Sequence, residues 1–278
     1  MKSFVTLMLC LLSMTTFAQV HDEISSAMEE FDYDKVINLI SPGTKDSLLL
    51  STRIQALKAM NRYPEAIVDL TSLFVKDTTD TKILIDLAEC YKLMGSPRQA
   101  ADYYRKAVSL RPNNKFFRLQ YIRSLLNAEN FKEARDACHG WLEQDTVSAT
   151  GYKYLGQAYE GMQDIPNAFF SYNVAYRRDS LDAQTVARIA NIFNNNRQFT
   201  DAIDVTECYR LSDTTSVDVN RQNAKAYCML KDYKKAIERY ESLKRMGDRS
   251  FLTFYYLGIS YYGDNWFYGS YDNFCLLY

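Results

Sequence analysis

The sequence predicts an all-α solenoid of stacked helix–turn–helix units, because three columns of residues repeat with one period of 34. The first column is alanine, at Ala66, Ala100, Ala134, Ala168, Ala202 and Ala236. The second, nine residues earlier, is bulky: Leu57, Tyr91, Leu125, Tyr159, Phe193 and Tyr227. The third, three residues before each alanine, is Tyr63, Pro97, Phe131, Ile165, Phe199 and Tyr233. Repeats of this length stack on their neighbours to bury an apolar face that each would expose alone.

Two helices are predicted within each period. In residues 81–114, Leu84, Leu87 and Tyr91 fall on one face of a first helix, and Gly95 begins a turn. A second apolar stripe follows at Ala100, Tyr104 and Ala107, and Pro112 ends it. Small residues such as Gly156 and Ala168 are expected to let paired helices approach closely. Four acidic pairs are expected to cap the next helix, namely Asp77-Thr78, Asp145-Thr146, Asp179-Ser180 and Asp213-Thr214.

The combined pattern resembles the tetratricopeptide repeat. It reads W/Y–x2–L–G–x2–Y and then A–x3–Y/F–x2–A, and residues 149–182 match nearly every place. The resemblance implies a right-handed superhelix whose concave groove, lined mainly by first helices, binds a protein segment. About seven full repeats and a truncated eighth cover one solenoid, 19–278. Their expected bounds are 20–46, 47–80, 81–114, 115–148, 149–182, 183–216, 217–250 and 251–278.

The first eighteen residues have the pattern of a secretory signal peptide. Lys2 precedes an apolar run from Phe4 to Leu12, and small and polar residues lead to Ala18. Leu9 before Cys10 disfavours lipoprotein processing, while a retained N-terminal anchor remains an alternative. We expect cleavage after Ala18 and export to the periplasm or outer membrane of a Gram-negative bacterium. Nothing later approaches ~18 consecutive apolar residues, so no membrane span is expected.

The sequence offers few groups for catalysis or metal binding. His21 and His139 lie in different repeats, and no zinc, P-loop or nucleophile-elbow motif occurs. We therefore expect no enzymatic activity, no cofactor and no metal site. The net charge of −1 disfavours nucleic acid as a partner. The cysteines beyond the signal are expected to be small buried hydrophobes, although a Cys208–Cys228 disulfide is conceivable.

The candidate binding residues lie on first helices, at positions off the packing stripe. They are Phe116, Leu119, Arg123, Lys153, Gln157, Asn191, Asn194, Asn195, Arg221 and Lys225. Amide side chains suit the N–H and C=O groups of an extended peptide, and basic ones favour carboxylates. Asn195 fits a polar turn between helices equally well. Lys153 is similar to the lysine of the carboxylate clamp in some tetratricopeptide proteins, but Gln157 replaces the clamp's asparagine, so that ligand is not carried over.

Two other functional classes stay open beside a protein-binding scaffold in an envelope assembly. One is a glycan-binding envelope protein on a helical-repeat scaffold. The other is a polysaccharide-active helical toroid with paired carboxylates. At the C-terminal end, an aromatic-rich stretch suggests that the protein continues or that this end pairs with another chain. Within it, Tyr261, Phe267 and Phe274 fit the repeat register and are expected to be core residues.

Overall fold

All secondary structure in the described part of the chain is helical. The computed structural model describes residues 19–277, in which sixteen helices and no strand occur. The helices are α1 (19–29), α2 (Tyr33–Leu39), α3 (Ser47–Ala59), α4 (Tyr63–Lys76), α5 (Thr81–Leu93), α6 (Pro97–Leu110), α7 (Lys115–Asn127), α8 (Phe131–Leu142), α9 (Ala149–Gly161), α10 (Ile165–Arg178), α11 (Ala183–Asn195), α12 (Phe199–Arg210), α13 (Val217–Met229), α14 (Tyr233–Arg245), α15 (Phe251–Gly263) and α16 (Phe267–Cys275). The prediction of an all-α repeat fold is confirmed.

The chain divides into two compact units at the boundary between Glu129 and Asn130. Unit one contains α1–α7, and its largest core cluster includes Ile24, Val36, Leu57 and Leu70. Unit two contains α8–α16 and has core clusters around Tyr172, Tyr209 and Tyr240. The predicted signal peptide, 1–18, lies outside the described residues.

First helices begin at capping residues that recur every 34 residues. These N-caps are Asp46, Asp80, Asn114, Ser148, Asp182, Ser216 and Ser250. In all but Ser250 the side chain accepts a hydrogen bond from a backbone N–H in the first turn. The prediction that the four upstream acidic pairs cap these helices is wrong. Asp77 and Asp213 instead accept from the N–H groups of Thr79 and Thr215 and so build the turn before the cap.

The turn within each repeat carries a second backbone signature with the same period. Residues with positive φ recur at Asn61, Gly95, Glu129, Gln163, Arg197, Lys231 and Asn265. At the first of them, Asn61 N–H donates to Lys58 O and Arg62 N–H donates to Leu57 O, at 3.1 and 2.8 Å. This pair of bonds is a Schellman motif, which ends the first helix of the repeat and reverses the chain.

Paired helices approach closely where small residues face aromatic rings. A Cβ added to Gly156 would lie 2.6 Å from the Tyr172 ring, and one added to Gly258 would lie 2.7 Å from Phe274. The alanine column is fully buried from Ala66 to Ala236. These contacts agree with the expectation that small residues bring the two helices of a repeat together.

Unit one contains a buried ion pair between the two helices of one repeat. Arg53 Nη1 on α3 donates to Asp69 Oδ2 on α4, and their side chains are only 5% and 2% exposed. Burial raises the pKa of Asp69, although the Arg53 guanidinium opposes that shift. Removing either side chain alone would leave the other as an unpaired buried charge, which is strongly destabilising.

One of the three C-terminal aromatic residues expected in the core, Phe267, is exposed. Tyr261 is buried and Phe274 is half-buried, whereas the ring of Phe267 is 57% exposed. In the preceding repeat, the equivalent Tyr233 ring packs over Gly263 of the next first helix. Phe267 has no comparable contact over a glycine in the described residues and remains exposed, so the prediction that it is a core residue is wrong.

The cysteines also correct two expectations. Cys90, Cys138 and Cys228 are buried, but Cys208 and Cys275 are exposed. The conceivable Cys208–Cys228 disulfide is absent, since both thiols are free. Cys228 Sγ lies 3.9 Å from Tyr256 O on α15, while Cys208 contacts Tyr176 of α10, so the two side chains point to different neighbours.

Candidate functional site

The predicted binding residues fall in both units and are described separately. Phe116, Leu119 and Arg123 lie on α7 of unit one. Phe116 is exposed and edges against Phe117, with ring centroids 6.1 Å apart. Arg123 is exposed and Leu119 is half-buried. The other seven residues lie on α9, α11 and α13, the first helices of three consecutive repeats in unit two.

Two of the four predicted cations, Lys153 and Arg221, form ion pairs within the fold. Lys153 Nζ lies 3.0 Å from Asp182 Oδ1 on the next first helix. Arg221 bridges Asp218 at 3.0 Å and Asp248 at 2.9 Å. The carboxylates of Asp182 and Asp248 thus already occupy the cationic groups that a ligand carboxylate would need. Lys153 and Arg221 each tie one repeat to the next through these ion pairs.

Asn194 does not face solvent, contrary to the prediction. Its side chain is buried because this side of α11 packs on α13, and Nδ2 donates to Gln222 O and Oε1 at 3.0 Å. Asn195 ends α11 and is exposed, and its Oδ1 accepts from Lys225 Nζ at 3.3 Å. Burial lowers the pKa of Lys225. Gln157 is half-buried, and its Nε2 has no hydrogen-bond partner among the described residues.

Asn191 lies in a polar depression between α11 and α13. The depression has a volume of about 280 Å³ and is lined by Gln184, Ala187, Arg188, Asn191, Asp218 and Gln222. Arg188 pairs with Glu160 of α9 at 3.0 Å, and Gln222 accepts from Asn194. Within the described residues the amides of Gln184 and Asn191 have no hydrogen-bond partner.

Sequence reasoning found Asn191 but missed the other residues of this depression. Gln184, Arg188 and Asn191 follow one another at helical spacing on α11, and Asp218 and Gln222 do so on α13. That spacing was visible in the sequence. The sequence did not show which face of α13 meets α11, because that depends on the packing of adjacent repeats.

A second polar cluster in unit two is held together by hydrogen bonds within the protein. Glu207 Oε1 on α12 accepts from Asn223 Nδ2 at 3.0 Å, Tyr227 Oη at 3.1 Å and Arg239 Nη2 at 3.2 Å. Burial opposes ionisation of Glu207, but the charge of Arg239 and these hydrogen bonds outweigh it and lower its pKa. The cluster joins α12, α13 and α14.

Metal-ligating clusters and membrane-spanning helices are both absent from residues 19–277. No group of three or more His, Cys, Asp or Glu side chains in that range is arranged to hold a metal ion. None of its helices is long and apolar enough to cross a membrane.

Comparison with known proteins relates the chain to repeat proteins. Residues 81–114 match the sequence profile of the tetratricopeptide repeat. The DnaJ homolog subfamily C member 7 homolog of Dictyostelium discoideum is 34% identical over 137 residues, which are 49% of this chain and 23% of that protein. The chain therefore spans less than a quarter of the length of this curated relative.

Solved structures show the same fold at low identity. A tetratricopeptide repeat protein from Parabacteroides merdae aligns with a TM-score of 0.59 and 13% identity, covering 88% of this chain and 99% of that one. PilF of Pseudomonas aeruginosa aligns with a TM-score of 0.56 and 16% identity, covering 80% and 96%. MamA of Desulfovibrio magneticus aligns with a TM-score of 0.51 and 19% identity, covering 63% and 100%.

Proposed function

We propose that this chain, a tetratricopeptide repeat protein, is a scaffold that binds an extended or helical segment of a partner protein on its first helices. The depression between α11 and α13 carries this proposal. It combines unpaired amides with a shallow polar surface, and no catalytic or metal chemistry is needed to explain it.

The amides of Gln184 and Asn191 suit the main chain of a peptide. Each amide offers one acceptor and two donors, so it can pair with a peptide N–H and C=O together. Each such bond contributes about 1 kcal/mol net, so affinity would accumulate over several contacts. Because Lys153 and Arg221 are already paired, partner selection depends on these amides and on shape more than on a carboxylate.

Export to the bacterial envelope belongs to the same proposal. It is supported by the apolar run Phe4 to Leu12 and the small-residue end at Ala18. N-terminal sequencing of the protein recovered from a periplasmic fraction would test it. The expected first residue is Gln19, and recovery of the intact N-terminus from the cytoplasm would contradict export.

Association through the C-terminal repeat is a further part of the proposal. Exposed aromatic side chains cover α15 and α16 at Phe251, Tyr262, Phe267, Tyr268 and Tyr271. The contact between Tyr233 and Gly263 suggests the matching partner surface, a helix with a small residue beneath the Phe267 ring. Light scattering tests self-association: a monomer at high concentration would contradict it, and Phe267→Ser should dissociate an oligomer.

Capture from an envelope extract of the native host tests the binding function. Immobilised wild-type protein should retain a partner that the double variant Gln184→Ala/Asn191→Ala retains poorly. We expect affinity for a peptide of that partner to fall roughly tenfold or more, from two lost hydrogen bonds. Asn173→Ala is the matched control, because Asn173 is a half-buried amide on the second helix α10. If the double variant bound the partner as tightly as Asn173→Ala does, the proposed surface would be wrong.

A further inference from the structure

A large crevice opens between three helices of unit one. It lies among α3, α4 and α5 and has a volume of about 540 Å³. Its apolar floor is formed by Ile54, Leu70, Leu73 and Ile83, and the first three of these are buried in the core. Polar and charged side chains, Asp80 and Ser51 among them, form its rim. An apolar floor inside a polar rim suits a ligand group that is apolar along its length and polar at its tip.

The equivalent crevice three repeats later is filled by the protein itself. It lies among α9, α10 and α11 and has a volume of only about 60 Å³. Lys153 lines it, with its side chain 17% exposed and its Nζ 3.0 Å from Asp182 Oδ1. In the 34-residue register, Ser51 occupies the place of Lys153 and Asp80 that of Asp182. The open crevice thus retains the carboxylate but lacks the lysine.

Asp80 has no side-chain partner in the described residues, because the nearby lysines make other contacts. Lys58 pairs with Asp86 at 2.5 Å, and Lys76 Nζ donates to Lys45 O at 3.0 Å. Asp80 Oδ1 accepts only the backbone N–H of Lys82, at 2.8 Å, as the N-cap of α5.

Two charged groups on the rim remain. Asp77 holds its own turn by accepting from Thr79. The Lys82 side chain is exposed, and no ion pair joins it to Asp80 within the described residues. The crevice is therefore lined by charges of both signs, among which Asp80 is the carboxylate without a side-chain partner in the described residues.

We propose that this crevice binds a lysine side chain of a partner protein, flanked by an apolar residue. The lysine methylenes would pack on Leu70, Leu73 and Ile54, and its ammonium would pair with Asp80, as Lys153 pairs with Asp182. The volume exceeds that beside Lys153 several-fold, which leaves room for the neighbouring apolar side chain. This site is in unit one and goes beyond the function proposed above. Either proposal can hold if the other fails.

Fluorescence anisotropy on the full chain with three labelled peptides tests the site. The peptides share the sequence Gly-Leu-Xaa-Leu-Gly, where Xaa is lysine, norleucine or glutamate. The lysine peptide should bind about tenfold more tightly than the norleucine peptide, through one charge-assisted bond at a half-buried carboxylate. The glutamate peptide should bind most weakly.

Two variants and one control complete the experiment. Asp80→Asn keeps an N-cap oxygen and should make the lysine and norleucine peptides bind equally. Ser51→Lys should likewise remove the preference for lysine, because the new ammonium would pair with Asp80 as Lys153 pairs with Asp182. Asp182→Asn is the matched control and should leave peptide binding unchanged. No binding of the lysine peptide, equal affinity for the three peptides, or an unchanged preference in Asp80→Asn would overturn the proposal.

Discussion

Lys153 Nζ lies 3.0 Å from Asp182 Oδ1, so the first helix of one repeat is tied to the capping residue of the next. Burial opposes ionisation of Asp182, but hydrogen bonds from Thr185 and Lys153 outweigh it and lower the pKa of this carboxyl. A lysine that resembles a ligand clamp in sequence therefore has a structural partner. This pair shifts the candidate site from the cations to the amides of α11.

Removing Lys153 should affect stability more than binding. Lys153→Met keeps the aliphatic stem but loses a partly buried ion pair, which we expect to destabilise the chain by about 1 kcal/mol. Urea denaturation measures the loss as a lower midpoint with an unchanged slope. Unchanged stability combined with lost partner binding would return Lys153 to the ligand site.

The buried pair of Arg53 and Asp69 should show strong coupling. Either Arg53→Met or Asp69→Leu alone leaves an unpaired buried charge, and we expect each to cost about 3–5 kcal/mol. The double variant should recover most of this loss, because no buried charge remains. A double-mutant cycle in denaturant measures the coupling energy. Additive losses would show that the two side chains do not interact.

The turn at Lys231 should be stabilised by glycine. Lys231 has φ of 65°, a left-handed conformation that burdens residues with a Cβ. We expect Lys231→Gly to raise the free energy of unfolding by about 1 kcal/mol, net of the greater freedom of glycine in the unfolded chain. Glu238→Gly, in the middle of α14, should lower it by about 1 kcal/mol. Thermal melts of the two variants check both signs, and a destabilised Lys231→Gly would contradict the turn geometry.

Acid should weaken the cluster around Glu207. The folded-state pKa of this carboxyl is lowered below its ordinary value of 4.5, so its contribution is present above pH 4.5 and is lost as the pH falls through the folded pKa. The difference in melting temperature between wild type and Glu207→Gln should therefore be largest at neutral pH and shrink below pH 4.5. A difference that grows on acidification would contradict the lowered pKa.

The 34-residue columns were enough to predict the repeated helices, because apolar spacing and buried alanines directly encode which faces pack. The surface was harder to predict. Asn194 and Asn191 lie on one helix three residues apart, yet one is buried under Gln222 and the other lines the depression. That difference arises from the packing of adjacent repeats, which no single repeat encodes. Likewise, the left-handed turn at Lys231 could not be predicted, because no glycine marks it in the sequence. The crevice in unit one is recognised only by comparing its size with that of the crevice beside Lys153.

The most direct test of the central claim is hydrogen–deuterium exchange of the captured partner complex. Binding to the proposed surface should slow exchange in α11 and α13, whose backbone lies beneath Asn191 and Gln222, and leave α10 and α12 unchanged. The Gln184→Ala/Asn191→Ala variant should lose that protection at the same partner concentration. Protection confined to the second helices, or none in unit two, would contradict a partner site on the first-helix amides.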